Sequence, residues 1–401
     1  MASVATPRIN LGASALANAA NQLPNTVTRV SSRLIPAAKP TMPPGFKASM
    51  GQLETFVLPD KVSDTLSHRA MAKAMINAWR NDGILQVAMS EAQQRRYEEA
   101  NAISKKFFGR KPSEKQACLN DTNVGGYIAS GEEITAGVAD YSEIFTVIKD
   151  LDSSDERVRN QWPCHGPCPW PDKEMGRVIK EYMAGLGAAG ERLLQLIELG
   201  LEVPPGALTK YTQDGWHHMR ILRFPARDKT NGKGKDGRGI GSHTDYGLLV
   251  IAAQDDVGGL FIRAPQGENF ANWDQSVAGL NEEAAGWTFV PPVPGVFTVF
   301  PGDMMQYMTN NFLPSTPHKV GLNVAERFAF AYFHEPNFKA VMKQLPGYEG
   351  ENVSPESIHY GKHFTNMALR AYPDRASIKK LNEEGRYAML DTSELRSDMA
   401  V

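Results

Sequence analysis

The sequence predicts a mainly β fold with helices, in which a sandwich or jelly-roll core at about residues 205–340 is wrapped by N-terminal and C-terminal helices. Between about residues 50 and 200 apolar residues recur at helical spacing. After about 205 they fall in short runs divided by Gly, Pro and Asp, the pattern of closely spaced strands. From about 341 the helical spacing returns.

"VSDTLSHRAMAKAMINAWRNDG" reads as a first helix, with Ser63 as its cap-like start and Gly83 as its stop, and "ILQVAM" follows as a strand. "SEAQQRRYEEANAISKKFFGRK" is a second helix. A third begins after Pro171, where Val178, Ile179, Tyr182, Met183 and Leu186 form a stripe that Leu193, Leu194 and Ile197 extend, as expected of a helix backing a sheet. "WTFVPPVPGVFTVFPGDMMQYMTNNFLPSTPHKV" holds several strands, with turns expected at Pro294-Gly295, Gly302-Asp303 and Asn310-Asn311. "YGKHFTNMALRAY" and "ASIKKLNEEGRYAML" close the chain as helices. No internal repeat is present, so residues 50–401 read as one domain.

The first 49 residues differ in kind. No Asp or Glu precedes Glu54, while Arg8, Arg29, Arg33, Lys39 and Lys47 do, and Ala, Ser, Thr, Asn and Pro fill the rest. That composition suits either a disordered tail or an organelle transit peptide, so residues 1–49 are expected to be a disordered leader. The protein is then intracellular and soluble, in the cytoplasm or, with a transit peptide, in a mitochondrion or plastid.

Over 401 residues, 42% hydrophobic and 22% charged content with a net charge of -2 describe a soluble chain with no surface biased toward nucleic acid or membrane. Cys118, Cys164 and Cys168 are too few for a disulfide framework and point to a reducing compartment. "GKGKDG", Gly232 to Gly237, formally fits a dinucleotide fingerprint, yet it leads into a strand instead of a helix and reads as a surface loop. In "WPCHGPCPW", Cys164, His165 and Cys168 make at most three ligands with no second half, so no metal is assigned there, although His165 could line a site.

"GSHTDYGLLVIAAQDDVGGLFIR" carries the chemistry. His243 and Asp245 stand at i and i+2, so on a strand they share a face and can grip one ion. His318, in "STPHKV", is a candidate third ligand. Two His and one carboxylate on one face of an ion leave coordination positions free, as in non-haem Fe(II) oxygenases. In "ERFAFAYFHEP", Arg327 shares a strand face with Ala329, Ala331 and Phe333, which suggests a guanidinium pointing into a hollow and an anion to meet it.

His243-x-Asp245, His318 and Arg327, with "ASGEEITAG", "EIFTV", "DGWHHMR", "HTDYGLLVIAAQDDVGGL", "AYFHEPNF", "HYGKHFTNM" and "YPDR", resemble the Fe(II)/2-oxoglutarate-dependent dioxygenase superfamily, and within it the ethylene-forming enzymes of bacteria and fungi, from about Met50 to beyond 390. The resemblance implies a double-stranded β-helix (jelly-roll) core. It also implies Fe(II) on His243, Asp245 and His318, 2-oxoglutarate as cosubstrate, and O2. Arg327 would bind the distal carboxylate of 2-oxoglutarate, with Arg220, Leu222, Phe224 and Ala329 as further cosubstrate-site residues. An L-arginine pocket would fall on Glu133, Ile134, Thr135, Tyr246, Phe333, Arg370 and Tyr372. Ala329 stands where plant-type relatives have Ser, and Ile134 and Ala371 depart slightly from the nearest bacterial pattern.

The implied activity is conversion of 2-oxoglutarate to ethylene and CO2, together with hydroxylation of L-arginine and formation of succinate. Two alternatives stay open. One is a hydroxylase of another amino acid, such as a guanidino compound, that makes little ethylene; the other is a catalytically silent jelly-roll binding protein.

Overall fold

The computed structural model describes residues 41–230, 237–265, 276–350 and 355–392. Its strands are β1 (Ser49–Met50), β2 (Thr55–Phe56), β3 (Leu85–Ala88), β4 (Gly126–Ile128), β5 (Ile134–Thr135), β6 (Val138–Ala139), β7 (Glu143–Val147), β8 (His218–Phe224) and β9 (Arg238–His243). They continue as β10 (Leu249–Gln254), β11 (Leu260–Arg263), β12 (Trp287–Phe289), β13 (Val296–Pro301), β14 (His318–Gly321), β15 (Arg327–His334), β16 (Val341–Met342) and β17 (Ile358–His359). One sheet has the order β1-β12-β11-β14-β9, and a larger one runs β2-β3-β13-β10-β15-β8-β7-β4. Apart from the short β1 and β2, which pair in parallel with β12 and β3, the neighbours are antiparallel. The strands from β8 to β15 in these two sheets make the expected jelly roll, and β1, β2, β3, β4 and β7 extend it at the sheet edges from the part of the chain before residue 150.

The helices follow their caps. Helix α1 (Leu66–Asp82) starts at Thr65, whose side chain accepts from the His68 N–H, while Ser63 bonds the His68 ring; the cap is two residues later than the sequence suggests. Gly83 ends it at φ 76°, a left-handed stop that glycine adopts freely. Ser90 and Gln93 form a capping box at α2 (Glu91–Phe108). Helix α3 (Lys173–Leu201) is capped by Asp172 and buries Val178, Ile179, Tyr182, Leu186, Leu193, Leu194 and Ile197. Its buried stripe belongs to the same core as Phe328, Phe330 and Tyr332 of β15, as expected of a helix backing a sheet.

Three local expectations change. Gly302-Asp303 is no strand turn: Gly302 caps a buried helix, α4 (Asp303–Met308), because its N–H and that of Asp303 are taken by Leu248 and Asp245 carbonyls. Asn310 and Asn311 do form a turn, both at positive φ. The C-terminal helical run divides into α5 (Tyr360–Ala371), α6 (Ala376–Glu383) and a 3-10 turn (Arg386–Asp391), with Gly385 at φ 66° between the last two.

Ordered structure begins before Met50. Phe46 stacks on Phe261 with ring centroids 4.7 Å apart, and Gly321 leaves its room: a Cβ there would lie 2.7 Å from the Phe46 ring. Ser49 and Met50 pair with Thr288 and Phe289. The expected leader therefore loses its last residues to the five-stranded sheet, while residues 1–40 lie outside the described part. Residues 231–236 of the "GKGKDG" loop also lie outside it. No helix among the described residues is long and apolar enough to cross a membrane, and the three cysteines are free and buried.

The Phe46 contact is testable. Phe46→Ala should lower stability by about 1–3 kcal/mol, less than a fully buried Phe because the residue is half-buried. A chain starting at Thr41 should melt like the full chain and one starting at Gly51 several degrees lower, as read by thermal unfolding.

Candidate active site

The register between β9 and β14 creates the centre of the site. His243 and His318, 75 positions apart in the chain (318 − 243), are direct cross-strand partners, with ring centroids 4.2 Å apart. His243 is the last residue of β9, and Asp245 lies just past the strand end, where its carbonyl accepts the Asp303 N–H at 2.7 Å. The Asp245 carboxylate comes within 3.8 Å of His243 Nε2 and 3.3 Å of His318 Nε2. The ligand atoms of all three lie within 4.8 Å of one another.

The donor chemistry fits a metal. His243 Nδ1 donates to the Gly241 carbonyl at 2.8 Å and His318 Nδ1 to the Thr316 carbonyl at 3.0 Å. Each bond leaves the Nε2 lone pair of that ring facing Asp245, the arrangement metal-binding histidines use. Burial, with His318 beside it, lowers the His243 pKa to about 4, so the imidazole is neutral and able to ligate near neutral pH.

A second cluster, Glu191, His217 and His334, also gathers within 4.8 Å. Its histidine rings stack nearly parallel, 9° apart at 4.3 Å, so their lone pairs do not converge. His217 Nδ1 accepts the Glu335 N–H at 2.9 Å, which leaves the proton on Nε2. That arrangement does not suit a metal.

Beside the first cluster lies a cavity lined by β8, β10 and β15. Arg327, Ala329, Ala331 and Phe333 face it, as strand alternation requires, opposite Phe224, Leu222, Arg220 and His218 of β8. Arg327 is 4% exposed and gives Nη2 to Gln254 Oε1 at 3.0 Å, but its Nε and Nη1 are buried without partners. Burial pulls its pKa down, against the pull of Asp255. A buried guanidinium with open donors fits a carboxylate.

Gln254 had no motif to reveal it. The alternation Val250, Ala252, Gln254 on β10, opposite Phe333, Ala331 and Ala329 of β15, is the signal that places these residues on the cavity wall. Thr298 and Phe300 of β13 line it too, and Phe300 packs on His318 at 4.8 Å.

The expected L-arginine residues separate into two groups. Glu133, Arg220 and Tyr372 form one buried knot: Arg220 Nη2 donates to Glu133 Oε1 at 2.5 Å and to Tyr372 OH at 3.0 Å, and Tyr372 OH donates to Glu133 Oε1 at 2.7 Å. Burial opposes the Arg220 charge, but Glu133 and Tyr372 hold its pKa above the ordinary value. Glu133 Oε2 and Arg220 Nε remain buried without partners. Tyr246 lies next to Asp245 in sequence and packs edge-on to His363; burial raises its pKa. Phe333 stacks on His218 at 4.4 Å.

Ile134 and Thr135 form β5, paired with β6 in a hairpin beside the knot. Arg370 does not join it; it ends α5 exposed, with Nη1 3.9 Å from Met367 Sδ. His165 is also elsewhere, buried against Trp216, Trp162 and Phe338 with Nδ1 on the Pro163 carbonyl, and does not line the cavity.

The geometry combines a His, Asp, His cluster with a buried Arg on one jelly-roll wall, and comparisons with known proteins agree. Residues 216–336 match the 2OG-Fe(II) oxygenase superfamily, and residues 55–173 match the N-terminal region of non-haem dioxygenases in morphine synthesis. A 2-oxoglutarate-dependent ethylene/succinate-forming enzyme of Ralstonia nicotianae is 50% identical over 86% of this chain and 99% of its own length. The chain belongs to the 2OG-Fe(II) oxygenase superfamily.

It is a 2-oxoglutarate-dependent dioxygenase, and its family uses Fe(II), 2-oxoglutarate and O2. A homoarginine-6-hydroxylase of Arabidopsis thaliana is 28% identical over 67% of this chain and 80% of its own length. The crystal structure of a putative 2OG-Fe(II) oxygenase family protein from Caulobacter crescentus shares the fold, with TM-score 0.63 at 20% identity, over 79% of this chain and 98% of that one.

The knot changes what a Glu133 substitution does. Glu133→Gln strands the Arg220 charge in the cavity wall, so it is expected to destabilise the fold by about 2–3 kcal/mol, below the ~3–5 of deleting a buried partner because the amide still accepts. Chemical denaturation checks this. Glu133 is thereby coupled to the cosubstrate cavity, since Arg220 contacts both.

Proposed function

We propose that this dioxygenase forms ethylene and CO2 from 2-oxoglutarate and, in a parallel outcome, hydroxylates L-arginine with formation of succinate. The observation that carries the amino-acid half is Glu133 Oε2, a buried carboxylate oxygen with no partner in the knot beside the His, Asp, His cluster. A guanidinium is always charged and presents several donors, so it suits an acceptor held in that way. Support for the ethylene half comes from the Ralstonia relative, whose name states ethylene and succinate formation and 99% of whose length the match covers.

In this reading His243, Asp245 and His318 hold Fe(II), which when bound supplies the oxidative chemistry between O2 and 2-oxoglutarate. Arg327 receives the distal carboxylate through its open Nε and Nη1, and Gln254 fixes the plane of its guanidinium. Leu222, Phe224 and Ala329 line the cavity around the cosubstrate chain and exclude water. Arg220 stands between cosubstrate and amino acid and balances Glu133. Glu133, Ile134, Thr135, Tyr246, Phe333 and Tyr372 surround the amino acid, whose own carboxylate would meet Arg370 only if that exposed side chain turned inward.

A second reading, hydroxylation of another guanidino acid with little ethylene, is favoured by the exposure of Arg370 and by the homoarginine-6-hydroxylase relative.

Incubation with Fe(II), 2-oxoglutarate and L-arginine or homoarginine, with ethylene and succinate measured together, separates the two. L-Arginine should raise both products. Succinate rising only with homoarginine, without ethylene, refutes the first reading.

His243→Ala and His318→Ala should each abolish both products and Fe(II) binding; near wild-type turnover in either would remove the ligand assignment. Arg327→Gln should keep Fe(II) but weaken 2-oxoglutarate binding about 100-fold or more, since a buried carboxylate loses its charged partner. Anaerobic titration of the Fe(II) protein with 2-oxoglutarate reads that loss.

A further inference from the structure

The hairpin that carries Glu133 has strands of two residues each, β5 and β6, and a hairpin that short does not hold itself in water. Its fixing point is Asp140, which is 0% exposed and follows β6 directly. Asp140 N donates to the Glu133 carbonyl at 2.9 Å and its carbonyl accepts the Gly131 N–H at 2.8 Å, closing the hairpin. Its carboxylate turns to β9: Oδ1 accepts Arg238 Nε at 3.0 Å and the Gly241 N–H at 3.0 Å, while Oδ2 accepts the Thr135 hydroxyl.

Arg238 completes the attachment from the other side. Its Nη2 donates to the Thr135 carbonyl at 2.8 Å, and Nη1 lies 3.5 Å from Glu282. The guanidinium lies over Gly241, where a Cβ would collide with Nη2, so that glycine makes its seat. The hairpin tip rests on a second glycine: a Cβ on Gly279 would collide with Ala136 Cβ, and the Gly279 N–H is held by the Ser242 carbonyl at 2.6 Å. Every one of these β9 contacts lies within the strand that ends in His243. Burial and the nearby Glu133 charge raise the Asp140 pKa to about 6, with Arg238 working against that rise.

We propose that Asp140 and Arg238 are positioning residues: a buried ionic latch that fixes Glu133 relative to the metal-ligand strand and so sets the affinity for the guanidino substrate without touching it. The proposal rests on Glu133 being the guanidinium acceptor. A scaffold with no such role would lower cosubstrate and amino-acid binding together; the latch acts mainly on the amino acid, because Arg327 is held by Gln254 of β10 and the only link from the hairpin to the cavity among the described contacts is Arg220.

Arg238→Met removes both of its hydrogen bonds to the hairpin and leaves the Asp140 bonds to Gly241 and Thr135. Asp140→Asn keeps the acceptor for Gly241 and a near-identical shape. In the Fe(II) enzyme, Arg238→Met should raise the KM for L-arginine about tenfold and Asp140→Asn about two- to threefold, with 2-oxoglutarate affinity held within about twofold in both. Amide hydrogen exchange should accelerate at residues 131–140 in Arg238→Met and stay unchanged in β10.

An unchanged KM, a parallel fall in 2-oxoglutarate affinity, or unaltered exchange in the hairpin would each overturn the latch. If the wild-type enzyme shows no response to L-arginine, the Glu133 assignment fails, and the exchange measurement still decides whether Arg238 holds the hairpin.

Discussion

The antiparallel pairing of β9 with β14 is the constraint on which the site depends. It sets His243 opposite His318, and the short step past the strand end brings Asp245 between their Nε2 atoms. The pairing is irregular, since Val320 pairs with Ile240 and Gly321 with Arg238 after register shifts. Such irregularities re-aim side chains near sites. Without that register, a His-x-Asp pair and a distant His are three ordinary polar residues. With it, they form a cluster that fits a metal, its outer nitrogens already bound to backbone carbonyls.

Around this centre the protein arranges charge in an otherwise apolar wall. Arg327 and Arg220 both face the cavity, and they are treated differently. Arg220 is neutralised internally by Glu133, while Arg327 keeps two donors open behind Gln254. Guanidinium donors left buried without a partner are costly, and that cost favours an anion from outside. The alanines at 252, 329 and 331 leave the space such an anion needs. Because Arg220 also reaches Tyr372, the knot ties the hairpin after β4 to the C-terminal end of α5.

Much of this was legible in the residues. The alternation in "ERFAFAYF" puts Arg327, Ala329, Ala331 and Phe333 on the cavity face and Phe328, Phe330 and Tyr332 in the helix-side core. Helix α3 and its start after Pro171, the Asn310-Asn311 turn and the C-terminal helices were also readable, because each depends on neighbours a few positions away. Where partners are remote the reading failed. Gly302 caps a helix because Leu248 and Asp245 take its first amides, and Phe46 joins the fold because Phe261 and Gly321 make a seat for it. His165 is drawn into an aromatic nest, and Arg370 ends its helix facing out.

By itself the sequence determined the fold class, the His, Asp and His residues that the structure gathers and the face of β15 on which Arg327 stands, since period and residue chemistry are local properties. Only the tertiary structure decided that Arg220 spends its charge on Glu133, that Gln254 orients Arg327, and that Asp140 and Arg238 bind the hairpin to β9. These are pairings between segments far apart in the chain, set by strand register and by the need of each buried polar group for a partner, and no spacing in the sequence encodes them.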